Sequence, residues 1–148
     1  MVSRGSKIRV VNVEALINGN HFATYKGDGI VIATATGSTA YSLSLGGAIL
    51  SPSINNMIMK PIAAHTSLMG GLVIEKDVVI SLKASSNEDL SISVDGFIDN
   101  KIEDFDQIDV EIDNENKAFF LRSENFENLY WTSLAQKLDL RKGDSISG

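Results

Sequence analysis

Residues 27–47 read GDGIVIATATGSTAYSLSLGG and carry most of the information about the fold. The apolar run at 30–33 is short and continuous, which is typical of a strand buried on both faces. Small and hydroxyl-bearing residues follow it, and the pair Gly46-Gly47 ends the segment. Residues 36–47 therefore predict a helix of about two turns, with a capping residue before it and a glycine just after it.

The start of this predicted helix combines features that suit a sugar, a phosphate or a nucleotide. Small residues such as Gly37 would let a ligand approach exposed backbone N–H groups. Hydroxyl groups add donors and acceptors, and Tyr41 offers a flat apolar face for a ring. The hydroxyl-bearing residues are Thr36, Ser38, Thr39 and Ser42. A plain helix cap with a core tyrosine explains the same pattern, so the residues alone leave both interpretations open.

Before and after this segment, sequence patterns typical of short strands alternate with residues typical of turns. The dipeptides Asn18-Gly19 and Asp95-Gly96 predict two-residue hairpins, and apolar residues at helical spacing predict a helix over 126–138. Strands are predicted at 7–17, 21–26, 30–33, 57–62, 72–74, 78–83, 90–94, 107–112 and 117–121. We expect one mainly β, β-sandwich-like domain over residues 1–140, with one short embedded helix, a C-terminal helix and a loose tail at 141–148.

Composition narrows the classes of function. The chain has 148 residues, no cysteine and two histidines, which excludes disulfides and cysteine-rich zinc sites. Its net charge of −6 argues against nucleic acid as a partner, while a basic excess before residue 87 suits an anionic ligand. No stretch is long and apolar enough to cross a membrane, and residues 1–6 lack the apolar run of a signal peptide. We expect a cytoplasmic protein with neither nucleic-acid nor membrane partners.

Residues 27–44, together with 46–50 and Pro52-Ser53, resemble the long signature in the C-terminal domain of the NAD kinase family. Residues 60–68 (KPIAAHTSL) are similar to the next block of that family, and 126–138 resembles its last helix. The resemblance implies transfer of the terminal phosphoryl group of ATP or polyphosphate to the 2′-hydroxyl of the adenosine ribose of NAD, which makes NADP. It also implies Mg²⁺ or another divalent metal in the full enzyme.

Family members have two domains, and this chain resembles only the second. The family's Gly-Gly-Asp-Gly block, whose aspartate acts as general base, has no counterpart here, and the sequence begins just after the family's Asn-Glu motif. We therefore expect no catalytic residue in this chain, which would supply NAD binding and oligomerisation and be inactive alone. The resemblance further implies a homodimer or homotetramer in which a neighbouring subunit often completes the NAD site.

The resemblance assigns an NAD site to particular residues and assigns no metal ligand. Asp28 matches the family's aspartate that contacts the dinucleotide, and Tyr41 is the expected ring contact. Asp28 could instead cap its turn, and His65 in the second block could be a packed core residue. The alternative for Arg9 and Lys26 is that each is a solvated charge on an edge strand. The full set is Arg9, Lys26, Asp28, Thr36, Thr39, Ala40, Tyr41, Ser42, Leu43, Ser44, Ala63 and His65.

The sequence departs from the family pattern at three places, and two other hypotheses remain. Ala35 replaces a usual proline, Phe97 replaces a polar residue that often touches the ligand, and 69–71 lacks an arginine-proline pair. Asp95-Gly96 is interpreted as a plain hairpin turn. The first alternative is the C-terminal domain of a diacylglycerol or sphingosine kinase, which needs a deep apolar slot. The second is a regulatory module that binds NADP without turning it over.

Overall fold

The computed structural model describes residues 1–4, 10–64, 71–87, 89–116 and 126–140. Contacts divide the chain into two compact units, Met1–Ile112 and Asp113–Gly148. The strands of the first unit are β1 Val2–Arg4, β2 Val11–Ile17, β3 Asn20–Gly27, β4 Gly29–Thr34, β5 Met57–Ile62, β6 Leu72–Ile74, β7 Ile80–Ser85, β8 Leu90–Val94, β9 Phe97–Ile102 and β10 Gln107–Val110. A 3-10 helix, Gly37–Thr39, and a one-turn helix, α1 Tyr41–Ser44, follow β4.

The first unit is built from two open antiparallel sheets. The six-stranded sheet has the order β6-β5-β4-β1-β8-β9, and the four-stranded sheet has the order β10-β7-β2-β3. The mainly β, sandwich-like prediction is confirmed, with a short helical segment embedded after β4. β1 and β9 were not among the predicted strands. The strand predicted at 117–121 lies outside the described residues, as do residues 7–9 of the strand predicted at 7–17, whose described part contains β2.

Side-chain alternation explains how the two sheets pack. Met57 and Met59 of β5 join the core between the sheets, whereas Ile58 between them packs on the outer face with Ala35 and Leu50. All six residues of β5 are buried, because the connection after β4 covers the outer face of this sheet. The core between the sheets contains Val11, Val13, Ala15, Tyr25, Ile30, Met57, Met59, Ile74, Ile80, Leu82, Ala84 and Leu90.

Both predicted hairpin turns are present, and both place a non-glycine residue in the left-handed region. Asn18 has φ +49° and Gly19 +76°, while Asp95 has φ +49° and Gly96 +88°. The Asn18 turn is also tied to the strand beside it, because Val79 N donates to Asn18 Oδ1 at 3.0 Å and Asn18 N donates to Val79 O at 3.0 Å. Asn and Asp tolerate this backbone conformation better than other residues that carry a Cβ.

The embedded helix differs from its prediction. A helix of about two turns was expected within 36–47, between a capping residue and the glycine pair, but the chain forms the 3-10 turn and then α1, with a break at Ala40 (φ −97°, ψ −129°). Thr36 is itself in the right-handed helical region and makes no side-chain cap hydrogen bond. The glycine prediction at the end is confirmed in part, since Gly46 adopts φ +77° and Gly47 N donates to Ser42 O at 2.9 Å.

The second unit contains α2, Phe126–Lys137, in agreement with the helix predicted over 126–138. Asp139 (φ +50°) ends it, and Leu140 N donates to Ala135 O at 3.0 Å, which is the hydrogen bond of a Schellman motif. Among the residues that the structure describes, no helix combines the length and apolar character needed to span a membrane. The single-domain prediction for residues 1–140 stays a prediction, and the tail at 141–148 lies outside the described residues.

Gly27 provides a test of how closely β3, β4 and β5 pack. A Cβ added to Gly27 would lie 2.5 Å from the Ile62 carbonyl oxygen and 2.9 Å from the Ala64 Cα, both of which are backbone atoms. We expect Gly27→Ala to lower the free energy of unfolding by about 1–3 kcal/mol, because backbone cannot move aside as a flexible side chain can. Urea denaturation measures the change.

Gly37→Ala is the matched control for this substitution. A Cβ at Gly37 meets its nearest atom, the Ala33 Cβ, at 3.4 Å, which is close to ordinary van der Waals contact. Equal unfolding midpoints for the two variants would contradict the packing described around Gly27.

Candidate functional site

A cleft of about 490 Å³ opens at the outer end of β4. β4 and β8 both pair with β1 and both extend beyond it, so the cleft is about two strand spacings, or roughly 10 Å, across. One wall comes from β4 and the helical segment after it, and the other from the end of β8 and its hairpin turn. The lining residues are Met1, Val31, Ile32, Ala33, Thr34, Gly37, Ala40, Tyr41, Ser42, Ser93, Asp95 and Gly96.

The first wall presents a ring beside small residues. Tyr41 is 50% exposed at the start of α1, so its aromatic face is accessible, and the exposed Ala40 next to it leaves room for a ligand. The Ser42 hydroxyl is buried and has no hydrogen-bond partner among the described residues. A planar ring bound here could therefore stack on Tyr41 without displacing a bulky side chain.

Ser38 holds this wall in place. Its side chain is fully buried, its Oγ donates to Ala35 O at 2.6 Å, and the Leu50 N–H donates to that Oγ at 3.0 Å. The hydroxyl therefore links the two ends of the connection that covers β5. Because the hydroxyl is fully buried and already bonded to both backbone groups, its role is structural, which corrects the expectation that it is available to a ligand.

Several of the backbone N–H groups that were expected to be free for a ligand are used within the segment. Gly37 N donates to Thr34 Oγ1 at 3.3 Å, Ser38 N donates to Ala35 O at 3.3 Å, and Ala40 N donates to Gly37 O at 3.0 Å. The 3-10 helix and α1, with three and four residues, are too short to have a significant helix dipole. The cleft therefore offers a ligand the exposed Tyr41 ring and the shape of its walls.

A second patch lies at the opposite end of β4. Asp28 N donates to Ile62 O at 2.9 Å, which places Asp28 beside Ala63 at the end of β5. Asp28 is half-buried, and Ala63 is exposed with φ +46°. Because a strand rises about 3.3 Å per residue, Asp28 lies roughly 10 Å from Val31, the nearest cleft residue on β4, and roughly 20 Å from Thr34 at the far end of the strand.

Comparison with known proteins identifies the family of this chain. The model of the ATP-NAD kinase C-terminal domain matches residues 1–122. The chain belongs to this family. It is 37% identical over 139 residues to the NAD kinase of Caldanaerobacter subterraneus, a match that covers 93% of this chain and 49% of that protein. The NAD kinase of Dehalococcoides mccartyi is 36% identical over 148 residues, covering 99% of this chain and 50% of that protein. The chain thus spans about half the length of these relatives.

Solved structures agree with this assignment. The yeast NADH kinase, solved in complex with NADH, superposes with a TM-score of 0.80 at 25% identity, covering 99% of this chain and 45% of that one. An NAD kinase from Archaeoglobus fulgidus, solved in complex with ATP, shares the fold with a TM-score of 0.74 at 23% identity, covering 90% of this chain and 52% of that one. The predicted fold and the family resemblance are both confirmed.

In this NAD kinase domain, only some of the predicted site residues line the cleft. Ala40, Tyr41 and Ser42 line the cleft. Thr36, Thr39, Leu43 and Ser44 belong to the same segment without lining it, and Thr39 Oγ1 donates to Thr36 O at 3.2 Å. Asp28 and Ala63 form the second patch. Arg9 and His65 lie outside the described residues.

Lys26 is not brought to the cleft within one chain. It lies on β3, where the neighbouring Tyr25 points into the core between the sheets and is 4% exposed. Since successive side chains alternate, the exposed Lys26 is on the outer face of the four-stranded sheet. The cleft belongs to the other sheet, so Lys26 and Tyr41 do not share a site in a single subunit.

The sequence interpretation missed Asp95. Asp95-Gly96 forms the expected turn, yet Asp95 also lines the cleft, opposite the wall that carries Tyr41. Met1 lines the cleft as well, and burial lowers the pKa of its amino group, an effect that the Asp95 charge partly offsets by raising that pKa. A hairpin signal predicts a turn but not its neighbours, so no local pattern places Asp95 beside residues 31–42.

Ser38→Ala tests the structural role of the buried serine. The substitution removes two hydrogen bonds and leaves the Leu50 N–H without its partner in a buried position, so we expect the free energy of unfolding to fall by about 1–3 kcal/mol. Urea denaturation followed by circular dichroism gives the value. Ser44→Ala, at an exposed position in the same segment, should change it by less than about 0.5 kcal/mol. A Ser38 variant as stable as wild type would contradict this role.

Proposed function

We propose that this chain is the dinucleotide-binding half of an NAD kinase that phosphorylates the 2′-hydroxyl of the adenosine ribose of NAD and makes NADP. The observation that carries the proposal is the cleft, because the family signature segment forms one wall of it and exposes the Tyr41 ring there. The phosphoryl donor is ATP or polyphosphate. The proposal also places the protein in the cytoplasm and treats residues 1–140 as one domain.

The separation of the two patches fits a dinucleotide. A ligand that stacks one ring on Tyr41 and reaches Asp28 must extend roughly 20 Å along β4. Asp28 is a hydrogen-bond acceptor for a ribose hydroxyl or for the carboxamide of nicotinamide, and Ala63 beside it leaves space for a ring. Between Asp28 and Tyr41, β4 contributes the apolar side chains of Val31 and Ala33 to the lining of the cleft.

In the reaction, the ribose 2′-oxygen forms a bond to the terminal phosphorus of the donor, the bond from that phosphorus to the leaving phosphate breaks, and a base takes the hydroxyl proton. Phosphoryl transfer depends mainly on positioning and charge neutralisation. The role of this chain is to bind and orient the dinucleotide. We propose that the base, an aspartate, comes from the part of the enzyme that this chain does not resemble, so that this chain alone is inactive.

The described residues hold no cluster of protein ligands that would bind the implied divalent metal on its own. Among the described residues, no three His, Cys, Asp or Glu side chains are grouped to hold a metal ion. No step at this cleft is therefore assigned to a metal. Mg²⁺ or another divalent cation would supply charge neutralisation at the donor phosphates elsewhere in the enzyme.

The position of Lys26 supports a homodimer or homotetramer. Lys26 lies on the outer face of the four-stranded sheet, away from the cleft, and is therefore placed to meet the cleft of a neighbouring subunit. The described residues that line the cleft include no lysine or arginine, so a diphosphate bound there would gain from a cation supplied in this way. We propose that Lys26 of one subunit completes the NAD site of the next.

NAD titration tests the binding residues. We expect Asp28→Ala and Tyr41→Ala each to weaken NAD binding by more than about 1 kcal/mol, which is about fivefold in Kd, because each loses one direct contact. Calorimetry on the full chain measures this. Asp77→Ala removes an exposed carboxylate that neither lines the cleft nor adjoins Asp28, and it should bind as wild type does. Wild-type affinity in both site variants would contradict the proposed site.

A Lys26→Gln variant tests the shared site. We expect it to weaken NAD binding at protein concentrations where light scattering finds the oligomer, because the neighbouring subunit no longer supplies a cation. Lys101→Gln, which removes a different exposed lysine, is the control. A Lys26 variant that binds NAD normally as an oligomer would contradict the shared-site proposal while leaving the cleft proposal intact.

A further inference from the structure

Asp95 is the charged side chain of the cleft. Among the described residues that line it, Asp95 alone carries a side chain ionised at neutral pH, and no lysine or arginine side chain is included. The carboxylate is exposed, and no described residue donates a hydrogen bond to it. This is unlike Asn18, the corresponding residue of the other hairpin turn, whose Oδ1 accepts from Val79 N. The Asp95 oxygens are therefore available to a ligand.

The turn fixes where this carboxylate lies. Asp95 and Gly96 both have positive φ, and the pair Val94↔Phe97 closes the hairpin behind them. β8 is itself anchored near this end, because Ser93 N donates to Met1 O at 2.8 Å. A two-residue turn between paired strands has little freedom, so the Asp95 carboxylate is held at the rim opposite Tyr41 rather than on a mobile loop.

A carboxylate in a nucleotide cleft discriminates between a hydroxyl and a phosphate on the ribose. It accepts a hydrogen bond from a ribose hydroxyl, whereas sites that take a 2′-phosphate provide a basic residue instead. A phosphate monoester carries a charge of about −1.5 to −2 at pH 7 and has no proton to donate to a carboxylate. NAD and NADP differ by this one group.

We propose that Asp95 is a specificity-determining residue that makes the cleft bind NAD more tightly than NADP. The inference rests on the proposed function, because it requires the adenosine end of the dinucleotide to lie in the cleft. Asp95 accepts a hydrogen bond from an adenosine ribose hydroxyl of NAD. Phosphorylation replaces the 2′-hydroxyl hydrogen with a phosphoryl group, and the same carboxylate then repels the new charge. One side chain thereby favours substrate entry and product release.

The proposed repulsion between Asp95 and the phosphate is electrostatic, so the ionic strength of the test matters. Low ionic strength keeps this interaction unscreened.

The test is calorimetric titration of the full chain with NAD and with NADP, in wild type, Asp95→Asn and Asp139→Asn. Asparagine preserves the shape of the side chain and tolerates the left-handed conformation, so Asp95→Asn should fold. Asp139 is a matched control, because it is exposed, has φ +50° and lies at the end of α2 rather than in the cleft.

We expect Asp95→Asn to shift the ratio of the NADP and NAD dissociation constants roughly fivefold to tenfold toward NADP. This is the size expected for a single charge and a dianion about 7 Å apart in water. NAD affinity should change less than threefold, since the asparagine oxygen still accepts a hydrogen bond, and 0.5 M salt should shrink the shift. Asp139→Asn should leave the ratio unchanged.

Two results would overturn the inference, and only the second of them would also contradict the proposed function. If wild type binds NAD and Asp95→Asn leaves the ratio within twofold of wild type, Asp95 does not discriminate, and the proposed function stands. If the folded wild-type chain binds neither dinucleotide, the proposed binding role of this chain fails together with the inference.

Discussion

The pairing of β4 with β5 is the constraint on which the rest of the site depends. These two strands lie side by side within the six-stranded sheet, with all of β5 and the first half of β4 buried, so their register cannot slip without exposing apolar side chains. The register Gly29↔Ile62 places Asp28 beside the end of β5, and Thr34↔Met57 places the other end of β4 where the helical segment begins. The distance between the two patches is thereby set by backbone pairing.

The connection after β4 covers the core and forms the cleft at the same time. Ala35 and Leu50 pack on Ile58, and Ser38 joins the two ends of the connection by hydrogen bonds, so the inner side of this segment is structural. Its outer side is left to present Tyr41 and Ala40. A buried hydroxyl that satisfies backbone groups stabilises the segment, whereas an exposed one would be free for a ligand. The serines of one motif therefore have different roles according to burial.

Charge in the cleft points to selectivity more than to affinity. The described lining provides a ring, small side chains and one carboxylate, and it provides no basic side chain for a diphosphate. A dinucleotide bound there, as proposed, would gain its affinity from stacking and directional hydrogen bonds, aided by cations that the described lining does not supply. A contribution from outside this chain is consistent with the fact that the chain spans about half the length of its relatives.

Local sequence patterns were sufficient to predict the strands, turns and helix that are encoded by neighbouring residues. The bounds of β5, β6 and β8, the two dipeptide turns and α2 follow from apolar runs, positive-φ residues and helical spacing. The signature segment also identified the wall that carries Tyr41. The broken helix at Ala40, the burial of Ser38 and the approach of Asp95 to that wall depend on pairings between distant strands. Such pairings arise from packing and hydrogen bonding between residues far apart in the chain, which no window of neighbouring residues encodes.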